Sequence, residues 1–191
     1  KVRKVIFASS GGSIYGEQEF FPATENHLLK PISPYGITKL PAEHYLYYYN
    51  TVFGLDYTVL RYANVYGPRQ DPYGEAGVIA IFIQKMINGE QPLINGDGEQ
   101  TRDFVFVADV AKSSILAMIN NSKENIFNIG TGVETSVNMV FNHIKDIVNP
   151  SIKEKHGPSK KGEQRKSVID YTKANDILNW SPKTSLIDGL R

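Results

Sequence analysis

The chain has 191 residues, 41% of them hydrophobic and 21% charged, which is enough apolar content for one sizeable core. A formal charge of +1 creates no field that would gather a polyanion, so nucleic acid is not implied as a partner. With no cysteine there is neither a disulfide framework nor a thiolate site, and no apolar run is long enough to span a membrane. These features set the expectation of a soluble, cytoplasmic protein with no membrane partner.

In chain order, Val5 to Ser9 reads as a buried strand, Pro34 to Val52 as a helix, Tyr57 to Tyr62 as a strand and Gly77 to Asn88 as a helix. A short strand over Asp103 to Val107, a helix over Ala108 to Asn120, a strand over Ile126 to Ile129 and a helix over Ser136 to Val148 follow. Alternation of this kind means a largely parallel sheet covered by helices, an α/β fold. The Lys-, Ser-, Gly- and Pro-rich run from Lys153 to Glu163 reads as an exposed loop, and Ile187 to Arg191 as the first turns of another helix. Opening on a strand and ending in a helix start, the chain is expected to be part of a longer doubly wound sheet.

Tyr35 and Lys39 lie four residues apart, just inside the helix that Ser33 caps and Pro34 begins. They therefore share a helical face, where an ammonium can favour an ionised phenol. A phenol titrates near pH ~10, and bringing it to neutrality takes about 4 kcal/mol of differential stabilisation. A nearby cation and the positive end of the helix both act in that direction. The spacing alone is a weak signal, because most such pairs are a lysine stem lying on a tyrosine ring. Pro41, inside the helix, removes the bond to the Ile37 carbonyl and is expected to kink it.

Ala8 to Gly16 places Ser9, Ser10 and Ser13 at the C-terminal end of the first strand, where open α/β sheets bind ligands. Equally, this run could be an ordinary glycine-rich turn. Gly130-Thr131-Gly132 also follows a strand and precedes a helix, but Thr135 stands where a dinucleotide fingerprint needs its third glycine. His27, His44, His143 and His156 show no metal-ligand spacing, and no metal site is expected.

Five runs occur in a fixed order: Phe7 to Ser10 leading to Ile14-Tyr15-Gly16, Ser33 to Lys39, Leu60 to Arg69, Gly96 to Val105, and Phe127 to Gly130. In this order the chain resembles the extended short-chain dehydrogenase/reductases, in particular the NAD-dependent epimerase/dehydratase group. It is most similar to UDP-glucose 4-epimerases of archaeal and bacterial type. The resemblance implies the C-terminal part of a Rossmann-like doubly wound sheet over residues 1–70, with Tyr35 and Lys39. Residues 71–191 would be mainly a smaller α/β region that binds the nucleotide sugar. The N-terminal cofactor half, with its glycine-rich loop, would lie outside the chain.

For chemistry, the resemblance implies NAD as cofactor and epimerisation of UDP-glucose and UDP-galactose at C4 through a 4-keto sugar. Tyr35 is the implied base, Lys39 its electrostatic partner, and Ser10 the hydroxyl on the sugar oxygen. The usual serine position falls on Gly11, and Ser9 and Ser13 stay open as alternatives to Ser10. Cofactor contacts are assigned to Ala8, Ser9, Tyr35, Lys39, Tyr62, Asn64 and Val65. Substrate contacts are assigned to Ser10, Gly11, Tyr35, Asn64, Gly77, Val78, Arg102, Lys160 and Glu163. Arg102 would pair with the diphosphate or, more plainly, with a local carboxylate such as Asp103. Lys160 replaces a second phosphate-binding arginine of the Lys160-Lys161-Gly162-Glu163 run, and a small Ser167 would leave room at the sugar 2-substituent.

Gly11-Gly12 stands where related dehydratases carry an acid pair, which disfavours elimination. Alternative readings are a UDP-N-acetylhexosamine 4-epimerase, a UDP-glucuronate decarboxylase and a non-catalytic NAD-binding scaffold. A buried, intact Tyr35–Lys39 pair would argue against the last. The aromatic run Ala42 to Phe53 is expected to form a homodimer surface or to pack on its own sheet, and the 191 residues alone are expected to be inactive.

Overall fold

A computed structural model describes residues 2–73, 77–160 and 162–191. The first half runs β1 (Lys4–Ser10), α1 (Gly11–Ile14), α2 (Pro34–Phe53), β2 (Asp56–Tyr62), β3 (Asn64–Tyr66) and α3 (Val78–Ile87). It continues through β4 (Ile94–Asn95), β5 (Thr101–Arg102), β6 (Phe104–Phe106), α4 (Val107–Ile119), β7 (Ile126–Ile129) and β8 (Thr135–Ser136). The remainder is α5 (Val137–Val148), β9 (His156–Gly157), β10 (Lys166–Ser167), α6 (Thr172–Leu178) and α7 (Leu186–Leu190).

Three parallel strands in the order β1-β2-β7 form the main sheet. Lys4 pairs with Asp56 and Ser10 with Tyr62 at the two ends of one ladder, while Val59 to Tyr62 pair with Ile126 to Ile129 in the other. Because β2 lies between two partners, Tyr57 to Arg61 are buried without alternation. Helices α2 and α4 pack against β1 and β2. The α/β reading from sequence holds.

Ser33 caps α2 by accepting from the Gly36 amide at 3.1 Å, and Gly54 ends it with φ +67°, a left-handed conformation suited to glycine. α2 is a single continuous helix through Pro41. Ile37 and Pro41 both lie on the exposed side, where water can take the freed carbonyl. At Gly36 a Cβ would lie 2.5 Å from the Ser13 carbonyl oxygen, so the start of α2 sits directly on α1.

One apolar core joins Leu60, Val105, Phe127 and Ile129 to Ala174, Leu178 and Trp180. Trp180, 1% exposed, donates its indole N–H to the Asp109 carbonyl at 2.8 Å, and its ring meets Tyr171 edge-on at 6.0 Å. A second core packs α3 on α5 through Phe82, Met86, Phe141 and Ile144. Small sheets surround it: β3 with β6, β4 with β9, and β10-β5-β8.

Two expectations are corrected here. The Lys153–Glu163 run is not all loop, because His156 and Gly157 pair with Ile94 and Asn95 as β9. The strand expected from Asp103 is confined to Phe104–Phe106, because Asp103 turns its carboxylate under the loop after β7. There it accepts from the Thr131 amide at 2.8 Å, the Thr131 hydroxyl at 2.6 Å and the Gly132 amide at 3.1 Å. The Gly130-Thr131-Gly132 run is thus a cradle for an internal carboxylate. Burial pushes the Asp103 carboxyl above its usual range against those hydrogen bonds.

Candidate active site

A cleft of about 380 Å³ opens at the C-terminal ends of β1 and β2. Ser10 and Ser13 reach it from one side, Tyr35 from the first turn of α2, and Tyr62, Asn64 and Val65 from the end of β2 and β3. Gln70 and Gly77 line it as well, and no carboxylate lines it among the described residues. Both strands end here and the chain diverges into α1 and β3, which leaves the edge of the sheet open to a ligand.

Lys39 donates its ammonium to the Ala8 carbonyl at 2.9 Å and lies 5.4 Å from the centre of the Tyr35 ring and 5.3 Å from that of Phe7. The spacing read from sequence therefore brings the pair together. Tyr35 is 45% exposed, however, so the expectation of a buried pair is corrected: the first turn of α2 stands on the rim of the cleft.

One turn beyond Lys39, on the same face, Glu43 is 5% exposed and ion-paired with Arg61 at 2.6 Å. Arg61 also donates to the Tyr15 hydroxyl at 3.1 Å, and Tyr15 donates to Asn128 at 2.7 Å. Desolvation pushes the Tyr15 phenol up to about 12, although Arg61 opposes it. This chain of polar groups was not foreseen. Its signals were a carboxylate at the third position of the Tyr35–Lys39 face and an arginine inside a strand with a partner on each side.

The three serines are not equivalent. Ser9 and Ser10 both line the cleft, but Ser9 is buried and donates its hydroxyl to Glu43 at 2.5 Å, whereas Ser10 occupies the cap position of α1 without a capping hydrogen bond. Ser13 lines the cleft too. Gly11 does not line it, being buried against Ile169 and the Arg61 backbone. Over Gly12, two polar groups converge: a Cβ there would lie 3.4 Å from the Asn64 amide oxygen and 3.5 Å from the Ser167 hydroxyl. Tyr62 turns its own hydroxyl away to Ser114 at 3.1 Å, and Val78 begins α3 and packs on the second core.

Arg102, on β5, has a side chain 15% exposed, donates to the Thr101 carbonyl at 2.8 Å and lies 3.6 Å from the Glu163 carboxylate. Its ion-pair partner is Glu163 rather than the neighbouring Asp103, whose carboxylate is taken by the cradle. Burial draws the Arg102 guanidinium below its usual range, Glu163 opposing. Lys160 and Glu163 line a second cleft of about 340 Å³ with Asn95, Gln100 and Arg165. Lys161 lies outside the described residues. Arg165 grips Asp97 through both nitrogens, at 2.8 and 3.0 Å, and holds its carboxyl down to about 2.

The first cleft is lined by uncharged groups, among them Ser10 and Tyr35 with Ala63 and Val65 as an apolar wall, while Lys160 and Arg165 bring cations to the second. No group of three or more His, Asp or Glu among the described residues could hold a metal ion.

A parallel sheet whose first two strands end at an open cleft beside a Tyr-x-x-x-Lys pair defines a class. Residues 1–130 match the model of the NAD dependent epimerase/dehydratase family, and the chain belongs to that family. It is 48% identical over 190 residues to a Methanocaldococcus jannaschii relative, covering 100% of this chain and 61% of that one. Its fold is similar to the UDP-glucose 4-epimerase of Thermotoga maritima solved with UDP-glucose, with a TM-score of 0.95 and 53% identity over 99% of this chain and 61% of the other. It is also similar to a UDP-N-acetylglucosamine 4-epimerase of Methanobrevibacter ruminantium solved with UDP-N-acetylmuramic acid, with a TM-score of 0.94 and 37% identity over 100% and 61% of the two chains. The chain thus spans about three-fifths of these relatives' length.

Proposed function

We propose that the chain carries the catalytic base and the sugar-nucleotide site of an NAD-dependent UDP-hexose 4-epimerase acting on UDP-glucose and UDP-galactose. The observation that carries this reading is the Lys39 ammonium, fixed on the Ala8 carbonyl at 2.9 Å and set 5.4 Å from the Tyr35 ring, beside a cleft that no carboxylate lines among the described residues. Ala8, Ser9, Tyr62, Asn64 and Val65 would border the nicotinamide end of the cofactor, and Lys39 would hold its ribose. NAD, when bound, supplies the acceptor and donor of hydride at C4.

Tyr35 takes the proton of the 4-hydroxyl and returns one, while Ser10 holds the same oxygen and Asn64 meets the sugar. Arg102 and Lys160 hold the diphosphate, with Glu163 toward the uridine ribose. Residues 1–70 then serve the cofactor and residues 71–191 mainly the substrate. The exposed Tyr45, Tyr48, Tyr49 and Phe53 of α2 are the surface for a homodimer. A second reading, a UDP-N-acetylhexosamine 4-epimerase, draws on the small Ser167 side chain beside Gly12 and Asn64.

The test is to assay the full-length protein with UDP-glucose, UDP-N-acetylglucosamine and UDP-glucuronate beside Tyr35→Phe, which should lose about 10²-fold to 10⁴-fold in kcat. Turnover of Tyr35→Phe at the parent rate would remove the tyrosine from the mechanism. No G-x-G-x-x-G run occurs in the 191 residues, so this chain alone should bind NAD weakly and be inactive; micromolar binding in a titration would contradict that.

A further inference from the structure

We propose that Glu43 is the positioning residue that sets Tyr35 and Lys39 against the end of β1, a role that rests on the epimerase reading above. Only two positions of the 20-residue α2 are fully buried, Gly36 and Glu43. The one side chain that this helix sinks completely into the protein is therefore a carboxylate. Carboxylates stay buried only when paired and hydrogen-bonded. Here one oxygen accepts from the Ser9 hydroxyl at 2.5 Å and from Arg61 Nε at 3.2 Å, and the other from Arg61 Nη2 at 2.6 Å. Arg61 is itself fastened to the Tyr15 hydroxyl at 3.1 Å and the Glu25 carbonyl at 3.2 Å.

What Glu43 fastens is the reacting end of the helix. Ser9 sits between Ala8, whose carbonyl takes the Lys39 ammonium, and Ser10, which lines the cleft. Lys39 and Glu43, one turn apart and about 6 Å along the axis, thus dock on consecutive residues of one strand. Two attachments at that separation fix both the slide and the rotation of α2, with Tyr35 one turn beyond. Apolar packing adds to this constraint only through half-buried side chains such as Leu40 and Leu46, since no apolar side chain of α2 is fully buried. Proton transfer requires hydrogen-bond reach, and a displacement of 1 Å lowers the rate by up to about 10²-fold.

The experiment uses the full-length protein with NAD bound, each variant assayed well below its own melting midpoint. Glu43→Gln keeps an acceptor for Ser9 but leaves Arg61 without its counter-ion, and should lower kcat by about 10-fold to 100-fold with KM for the UDP-sugar within about twofold. Ser9→Ala leaves the ion pair in place and should lower kcat by about three- to tenfold at unchanged KM. A merely structural role would lower the melting midpoint and leave kcat per folded molecule at the parent value; that result in both variants overturns the proposal. If Glu43→Gln fails to fold, Ser9→Ala decides by itself, parental kcat overturning the proposal and a loss at unchanged KM supporting it. Tyr35→Phe in parallel separates the two ideas: full activity there overturns the base assignment and this role with it. An inactive Tyr35→Phe beside parental Glu43→Gln and Ser9→Ala overturns only the positioning role.

Discussion

Replacing Lys39 by methionine keeps an unbranched side chain one atom shorter and removes its charge. With the ammonium 5.4 Å from the Tyr35 ring centre, the attraction between the cation and a phenolate is about 3 kcal/mol at an effective dielectric constant near 20. Tyr35 is 45% exposed, so solvent screening reduces this to roughly 1–2 kcal/mol. The deprotonated tyrosine should accordingly become about tenfold scarcer at neutral pH, and kcat should fall by about the same factor. The sign with pH follows: the cation favours the charged form, so its loss matters most where the phenol is mostly protonated. The deficit should shrink as pH rises toward the ordinary phenol value of ~10. The assay is kcat of the full-length Lys39→Met and parent proteins from about pH 6 to pH 9, with NAD content measured on the same samples. Lys39→Met turning over at the parent rate across that range, at equal NAD content, would refute the electrostatic reasoning.

Asp103→Ala strips the acceptor from two amides and a hydroxyl at Thr131 and Gly132, and should destabilise the protein by about 2–5 kcal/mol in a denaturant titration. A change below about 0.5 kcal/mol would mean that the cradle is dispensable. Gly36→Ala places a methyl group 2.5 Å from the Ser13 carbonyl oxygen. It should cost about 1–3 kcal/mol and lower kcat, whereas parental stability and rate would show that α2 can move off α1 freely. Ser167→Tyr crowds the space beside Gly12 and Asn64 and should lower kcat/KM for UDP-N-acetylglucosamine more than for UDP-glucose; equal losses would place Ser167 away from the sugar.

The elements of the main sheet were legible because β1, β2 and β7 are runs of β-branched and aromatic residues, and α2 carries its own cap and stop in Ser33 and Gly54. Strands of two residues, such as β4 and β9, carry no periodicity to read, and only their pairing makes them strands. Tyr35 and Lys39 were legible because four residues along a helix fix a shared face. That Ser9 commits its hydroxyl to Glu43 was not legible, since that carboxylate lies 34 positions away. The cradle at Gly130 to Gly132 was read for its glycines, while its occupant, Asp103, stands 28 positions from Thr131 and gives no local sign.

Trp180 is the single tryptophan of the chain, 1% exposed and hydrogen-bonded to Asp109. Its emission is therefore a built-in optical reporter of whether the C-terminal segment is seated on the sheet. Undocking that segment would admit water to the indole and shift the spectrum to the red, without any label. In the 191-residue chain the same signal follows the seating of this segment in a variant such as Asp103→Ala.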